Sequence, residues 1–224
     1  MNSHAKTPHK ARAPQARFAA TFSAALSLLF SAALAACAPQ GGANGEAQGE
    51  APAGDPPLAG AAIGGPFTLT SATGETVTWK DFRGKYAVVY FGYAYCPDVC
   101  PTDMQRTAQG LKILEERNPD LAARIQPVFI SVDPARDTPD VLAEFTSAFS
   151  DDLMGLTGSE EAVKAAADAF RVYYKKGEET PGGGYLVDHT NIVYFFDPAG
   201  EPVTMLPTRE GADAVADEIE KWAS

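Results

Sequence analysis

Apolar and polar positions form clear structural patterns from about residue 58 onward. Residues 67–70 and 76–79 alternate between apolar and polar side chains around a turn that contains Gly74, which predicts a β-hairpin. Residues 86–91 and 125–132 are nearly continuous apolar runs, as expected for strands buried on both faces. Further strands are predicted at residues 153–156, 186–196 and 202–206.

Helices are predicted between these strands and are marked by their N-terminal residues. Thr102 and Gln105 have the spacing of a capping box. Thr138 stands before Pro139, and Ser159 stands at the start of another helix. The predicted helices cover residues 102–117, 138–149, 160–170 and 210–222. Strands that alternate with helices and lead to a final hairpin and helix predict an α/β, thioredoxin-like fold with a mixed central sheet and an extra N-terminal β-hairpin.

The first 36 residues differ from the rest and indicate a targeting segment. A basic stretch without any acid precedes an apolar, alanine-rich run over residues 18–36, and Cys37 follows. This order is typical of a signal peptide, and the residues before Cys37 resemble the bacterial lipoprotein box. We therefore predict a lipoprotein signal peptide over residues 1–36, with Cys37 lipidated. A plain signal peptide and an uncleaved anchor are alternatives, and each places the folded domain outside the cytoplasm at a membrane.

Residues 37–57 contain glycine, alanine, proline and glutamate but no large apolar side chain, so we predict a flexible, lipid-anchored linker. The folded domain is predicted over residues 58–224. The chain has a formal net charge of −11. Because residues 1–36 carry four bases, their removal makes the charge more negative. Such an acidic domain is a poor candidate for nucleic-acid binding, which depends on neutralising phosphates.

Two cysteines remain in the predicted domain, at the junction between a central strand and a helix. Cys96 and Cys100 are separated by three residues and are each followed by proline. A thiolate near a helix N-terminus is stabilised by unpaired backbone N–H groups, so we expect a lowered pKa there. The spacing allows a redox disulfide and also allows both sulfurs to bind one soft cation. A purely structural bridge is the alternative.

His189 is the single histidine outside the predicted signal peptide. It stands where a thioredoxin-like fold usually places a proline opposite the active cysteines, and residues 183–196 contain no proline. Two thiolates and one imidazole suit Cu(I), and such mixed ligands also hold Cu(II), whereas a closed zinc site normally has a fourth ligand. A hydrogen-bonded structural histidine is the alternative. Asp188 is expected to orient the imidazole ring, or else to be a surface acid.

Three motifs together resemble the SCO/SenC family of membrane-tethered, thioredoxin-fold copper chaperones. They are residues 91–102 around Cys96 and Cys100, residues 131–139, and residues 187–190 around His189. The resemblance implies copper as the bound metal, with Cys96, Cys100 and His189 as its ligands. It also implies that Asp133, together with its neighbours in residues 131–139, shapes a loop near the site. A simple turn that leads into a helix is the alternative for that loop.

The resemblance implies a membrane-anchored lipoprotein on the periplasmic side of a bacterial cell envelope. Its expected role is to deliver copper to the binuclear centre of cytochrome c oxidase. The expected partners are the copper-bearing oxidase subunit, an upstream copper donor, a thiol reductant and the membrane. A thiol–disulfide reductase that keeps target cysteines reduced is one alternative, because the cysteine pair is expected to be reactive. A copper or redox sensor is another.

Overall fold

The computed structural model describes residues 54–180, 182 and 184–223. The signal peptide predicted over residues 1–36 and the lipidation site predicted at Cys37 lie outside these residues, as does the predicted linker up to residue 53. No helix among the described residues is long and apolar enough to cross a lipid bilayer.

Strands and helices alternate through the described chain. The strands are β1 (Thr68–Ser71), β2 (Thr76–Thr78), β3 (Tyr86–Gly92), β4 (Ile125–Ser131), β5 (Met154–Thr157), β6 (Tyr174–Lys176), β7 (Val187–His189), β8 (Val193–Phe196) and β9 (Pro202–Leu206). The helices are α1 (Val99–Arg117), α2 (Pro119–Ala122), α3 (Pro139–Ser147), α4 (Glu160–Ala169) and α5 (Ala212–Trp222). Short 3₁₀ turns occur at Trp79–Phe82 and Thr208–Glu210.

A seven-stranded mixed sheet runs in the order β2-β1-β5-β4-β3-β8-β9. At its centre β3 and β4 are parallel, with Tyr86 opposite Ile125 and Gly92 opposite Ser131. β8 lies antiparallel to β3 on the other side, and β1 pairs antiparallel with both β2 and β5. The predicted mixed α/β sheet and the extra N-terminal hairpin are therefore confirmed.

Burial of apolar side chains explains why the central strands are made of continuous apolar runs. All seven residues of β3 and all four of β8 are buried, as expected for strands covered on both faces. The side chains of Trp79, Phe170 and Phe196 meet edge to face, with ring centroids 5.0 to 5.4 Å apart, and join the N-terminal hairpin to the main core.

The predicted caps of two helices are confirmed. The Thr138 hydroxyl accepts a hydrogen bond from the N–H of Val141 at the start of α3. The Ser159 hydroxyl accepts one from the N–H of Ala162 at the start of α4. Each bond satisfies a backbone donor that has no partner within its own helix.

The start predicted for the first helix was wrong. α1 begins at Val99 instead of residue 102, and the Thr102 hydroxyl donates to the Asp98 carbonyl instead of forming a capping box. Pro101 fits inside the first turn, because the N–H that proline lacks would have no intrahelical partner there. Cys100 therefore belongs to the helix.

The prediction of one strand over residues 186–196 was wrong, because the chain forms two separate strands there, β7 and β8. β7 leaves the main sheet and pairs antiparallel with β6, which the sequence did not predict, to form a separate two-stranded sheet. Polar residues, including Asn191, interrupt the apolar run between the two strands. As a result, His189 ends a short strand and does not begin a long one.

Candidate metal centre

Cys96 and Cys100 lie at the carboxyl end of β3, where the chain turns into α1. Both are free and buried, with 8% of Cys96 and none of Cys100 exposed. The N–H of Cys100 points at the Cys96 sulfur, with 3.4 Å between nitrogen and Sγ. Cys96 thus receives a backbone hydrogen bond from the first turn of a helix, which favours a negatively charged sulfur.

Gly92, the last residue of β3, makes room for this arrangement. A Cβ atom at this position would lie 2.9 Å from the Cys100 sulfur and 2.8 Å from the Tyr90 ring. These separations are too short for real Cβ contacts, so any side chain at residue 92 would displace the sulfur or the ring. The glycine stands in the motif of residues 91–102, but its steric reason is visible only once the helix is placed against the strand.

His189 reaches the cysteines from β7. Its Nε2 atom lies 3.2 Å from the Cys100 sulfur, and its Nδ1 atom lies 3.0 Å from the carbonyl oxygen of Thr190. Because a carbonyl oxygen only accepts hydrogen bonds, Nδ1 carries the proton and Nε2 presents its lone pair to the sulfurs. The Thr190 carbonyl therefore orients the ring.

Asp188 does not take the orienting position that the sequence suggested. Its side chain is exposed, and residue 188 lies opposite Lys175 in the β6–β7 pair. Neighbouring side chains in a strand point to opposite faces, so a carboxylate next to His189 in β7 is directed away from the site. The surface-acid alternative for Asp188 agrees with this placement.

Aromatic rings enclose the imidazole. Tyr90 and Tyr93 each meet the His189 ring edge-on, at centroid distances of 6.0 and 5.8 Å. Burial and contact with these rings restrict the directions in which the imidazole can turn. The imidazole ring is thus held by its hydrogen bond to the Thr190 carbonyl and by edge-on contacts with the two tyrosine rings.

The ligand atoms of Cys96, Cys100 and His189 all lie within 4.8 Å of one another. This set of two sulfurs and one imidazole nitrogen fits a soft cation such as Cu(I), because thiolates select soft metals. The three residues come from the β3–α1 junction and from β7, and Cys100 and His189 are 89 positions apart in sequence. The fold therefore brings together the three candidate ligands named from the sequence.

The two thiols have opposite pKa shifts. The Cys100 thiol, by hydrogen bonding to the Cys96 sulfur, lowers the pKa of Cys96 well below its usual range. The same interaction, together with burial, raises the pKa of Cys100. The pair therefore keeps one proton, on Cys100, and one negative charge, on Cys96.

The loop after β4 supports the segment between β3 and α1, which contains Cys96 and is called the cysteine loop below. One carboxylate oxygen of the fully buried Asp137 accepts hydrogen bonds from the Ala94 N–H at 2.9 Å and from the Ser131 hydroxyl at 2.6 Å. Burial raises the pKa of Asp137. Asp133 is also buried, and its carboxylate accepts hydrogen bonds from the Tyr185 hydroxyl and from Arg136. Asp133 thus contacts the segment before β7 and no ligand atom directly.

A second buried network lies beside Cys100 and was missed by the sequence reasoning. Asp103 in α1 accepts hydrogen bonds from the hydroxyls of Tyr90, at 3.2 Å, and of Thr208, at 2.8 Å. This network fixes the ring that packs against His189. The sequence signal that could have revealed Asp103 is its spacing, because it follows Cys100 by three residues and therefore shares its face of the helix.

The SCO1/SenC family model matches residues 55–224. The chain belongs to the SCO1/SenC family. Its fold also matches that of ScoI from Bradyrhizobium japonicum, determined with copper bound, with a TM-score of 0.65 and 36% identity. That match covers 72% of this chain and 99% of the other.

Among SCO1/SenC relatives, protein SenC of Rhodobacter capsulatus is 52% identical over 141 residues, which are 62% of this chain and 61% of that protein. The mitochondrial SCO1 homologue of Homo sapiens is 44% identical over 141 residues, which are 62% of this chain and 46% of the human protein. The matched part of this chain thus spans about half the length of these curated relatives.

Proposed function

We propose that this protein binds one copper ion through Cys96, Cys100 and His189 and delivers it to the binuclear copper centre of cytochrome c oxidase. The observation that carries the proposal is the convergence of two sulfurs and one imidazole nitrogen within 4.8 Å. The copper in the related ScoI structure gives independent support for copper as the metal.

The protonation pattern prepares the site for Cu(I). Cys96 offers a thiolate and His189 offers a lone pair on Nε2, so two ligands are ready before the metal arrives. Cys100 loses its proton to solvent as its sulfur binds the cation. Because three ligands leave Cu(I) open to a further donor, a thiolate or imidazole of the recipient protein can enter and take over the metal.

The proposed delivery takes place on the periplasmic side of a bacterial membrane. A lipid on Cys37 and the linker over residues 37–57 would hold the domain near an integral membrane oxidase. The partners of this cycle are an upstream copper donor, the copper-bearing oxidase subunit and a thiol reductant. The reductant is required because a Cys96–Cys100 disulfide has no thiolate to offer to copper.

Thiol–disulfide exchange is a second candidate function, favoured by the lowered pKa of Cys96. In that reaction the Cys96 thiolate attacks a target disulfide and forms a mixed disulfide, releasing one target thiolate. Cys100 then loses its proton and attacks the Cys96 sulfur, which releases the second target thiolate and leaves a Cys96–Cys100 disulfide. The external thiol reductant would return the pair to the reduced state.

Copper transfer tests the first function. The reduced chain is loaded with Cu(I) and mixed with the reduced soluble domain of the copper-bearing oxidase subunit, and copper on each protein is measured after separation. We expect one copper per chain before mixing and transfer to the subunit afterwards. Cys96→Ser and His189→Ala are the matched variants and should load weakly. A reduced wild-type chain that retains no copper contradicts the proposal.

A further inference from the structure

The β6–β7 pair, which carries His189, cannot hold its position by strand pairing alone. Each strand has three residues, and Lys175, Lys176 and Asp188 are exposed. Isolated two-stranded hairpins are marginally stable in water. His189 nevertheless lies within 3.2 Å of Cys100, so side chains outside the pair must fix it to the rest of the domain.

Arg136 makes this connection to the segment that enters β7. Its Nη1 atom donates to the Tyr185 carbonyl at 2.9 Å, and its guanidinium carbon lies 3.6 Å from the centre of the Tyr185 ring. Its Nε atom donates to Asp133, which also accepts the Tyr185 hydroxyl at 2.7 Å. Tyr185 is therefore held through its backbone, its ring and its hydroxyl.

The same guanidinium also faces the cysteine loop. Its carbon lies 5.2 Å from the centre of the Tyr95 ring and 5.7 Å from that of Tyr93, both within cation–π range. Within the described residues, Nη2 of Arg136 is buried and has no hydrogen-bond acceptor. Aromatic faces on both ligand-bearing segments thus surround one charged group.

We propose that Arg136 is a positioning residue that sets the distance between the cysteine loop and His189. This inference rests on the proposed copper site. Among the described residues, no hydrogen bond or ion pair joins Arg136 to Cys96, Cys100 or His189. Arg136 nevertheless contacts Tyr95, next to Cys96, and Tyr185, two residues before β7. Lysine cannot replace it fully, because an ammonium group lacks the planar fork that donates to Asp133 and to the Tyr185 carbonyl while stacking on rings.

The chain offers a matched control on the same ring. Lys176 places its Nζ atom 3.9 Å from the centre of the Tyr185 ring, and 54% of its side chain is exposed. Its other charged contact is with Glu179. Lys176→Met therefore removes a cation from Tyr185 without removing the connection to the cysteine loop and should leave copper affinity unchanged.

The decisive test is a double-mutant cycle for Cu(I) affinity, measured by competition with a chelator. Arg136→Lys should lose roughly 10- to 100-fold in affinity, the usual range when a supporting partner of a metal ligand is lost. In a His189→Ala background, the same substitution should cause no further loss, because there is no imidazole left to position. An equal loss in both backgrounds, or no loss in either, overturns the proposal.

A metal-free measurement separates this inference from the copper proposal. In the reduced wild-type chain, nuclear Overhauser contacts between the rings of His189 and Tyr93 should be present, and Arg136→Lys should weaken them while Lys176→Met does not. Unchanged contacts in Arg136→Lys overturn the inference even if copper binds. Failure of the wild-type chain to bind copper overturns the proposed function, while the contact measurement still tests Arg136.

Discussion

The seven-stranded sheet and the β6–β7 pair hold the proposed copper ligands by different kinds of interaction. Cys96 and Cys100 follow β3, in which every residue is buried among apolar side chains. His189 belongs to a three-residue strand in which only Val187 is buried. Apolar packing therefore positions the two sulfurs, whereas hydrogen bonds and aromatic contacts position the imidazole.

This difference predicts two separate ways for the site to fail. A substitution in the sheet should lower the stability of the whole domain and affect copper binding only as part of that loss. A substitution at the β6–β7 pair should leave global stability nearly unchanged and act on the third ligand. Regions with few buried apolar contacts open locally at a lower free-energy cost than the core.

The largest effect is expected from Phe129→Ala in β4. Phe129 is fully buried, and its truncation should lower the free energy of unfolding by about 3 to 5 kcal/mol. Leu186→Ala is the control beside β7. Because Leu186 is 56% exposed, its change should be within about 0.5 kcal/mol. Urea unfolding measures both, and equal losses would contradict the contrast between the two regions.

Gly92→Ala should have a smaller effect on stability but a direct effect on the sulfurs. Overpacking against Cys100, Tyr90 and Phe129 should cost about 1 to 3 kcal/mol in the free energy of unfolding. Copper affinity should fall as well, because Cys100 must move. Gly74→Ala is a useful comparison, since residue 74 has open space but a positive φ of 84°. Unaltered copper binding by Gly92→Ala would argue against the steric role of residue 92.

Tyr185→Phe should act locally, on the segment that enters β7. It removes the hydroxyl that donates to buried Asp133 but keeps the ring beneath Arg136. The loss of one hydrogen bond to a buried carboxylate should cost about 1 to 3 kcal/mol. We expect much of this loss in stability to appear as faster hydrogen exchange at the Gly177 N–H, which donates a hydrogen bond to the Leu186 carbonyl. Exchange that accelerates equally in β3 would show a global effect instead.

The protonation of the thiols gives the smallest predicted change, one that concerns a single charge. Ultraviolet absorbance at mildly acidic pH should show one thiolate in the reduced, metal-free chain. Cys96→Ala should remove it, because the substitution takes away the hydrogen bond to Cys96 but leaves Cys100 buried, and burial still raises the pKa of the Cys100 thiol. Cys100→Ala should weaken it, because the Cys100 thiol is the main cause of the lowered pKa of Cys96. Equal absorbance in both variants would contradict the assignment of the charge to Cys96.

The sign of the linked pH dependence follows from the same shifts. The folded pKa of Cys96 lies below its unfolded value of about 8.5. Its ionisation therefore stabilises the fold above that pH and contributes less as the pH falls toward the folded pKa. Cys100 has a raised folded pKa, so its contribution is present below about 8.5 and is lost as the pH rises. Urea unfolding as a function of pH, repeated with each alanine variant, measures the two contributions.

Sequence patterns predicted the sheet well because its strands are made of long apolar runs. β3, β4 and the caps at Thr138 and Ser159 each carry a local signal that tertiary contacts do not override. The three ligands also stood out, since they are chemically distinctive and few. The order of these features along the chain resembled one family, and the family comparison agrees.

The sequence did not predict the parts of the site that depend on contacts between distant segments. β6 lacks the apolar alternation that marks a strand in a sequence. Its residues Lys175 and Lys176 are exposed, and its pairing is with β7 alone. The Thr190 carbonyl is a backbone group, so residue type carries no signal for its contact with His189. The residue types near His189 point instead to the Asp188 carboxylate, with a surface acid as the alternative.

X-ray absorption spectroscopy of the reduced, Cu(I)-loaded chain tests the central claim most directly. We predict two sulfur neighbours and one imidazole nitrogen around a single copper ion. The His189→Ala variant should lose the nitrogen and keep both sulfurs. A wild-type spectrum without the imidazole, or a His189→Ala protein with full copper and an identical spectrum, would contradict the three-ligand site.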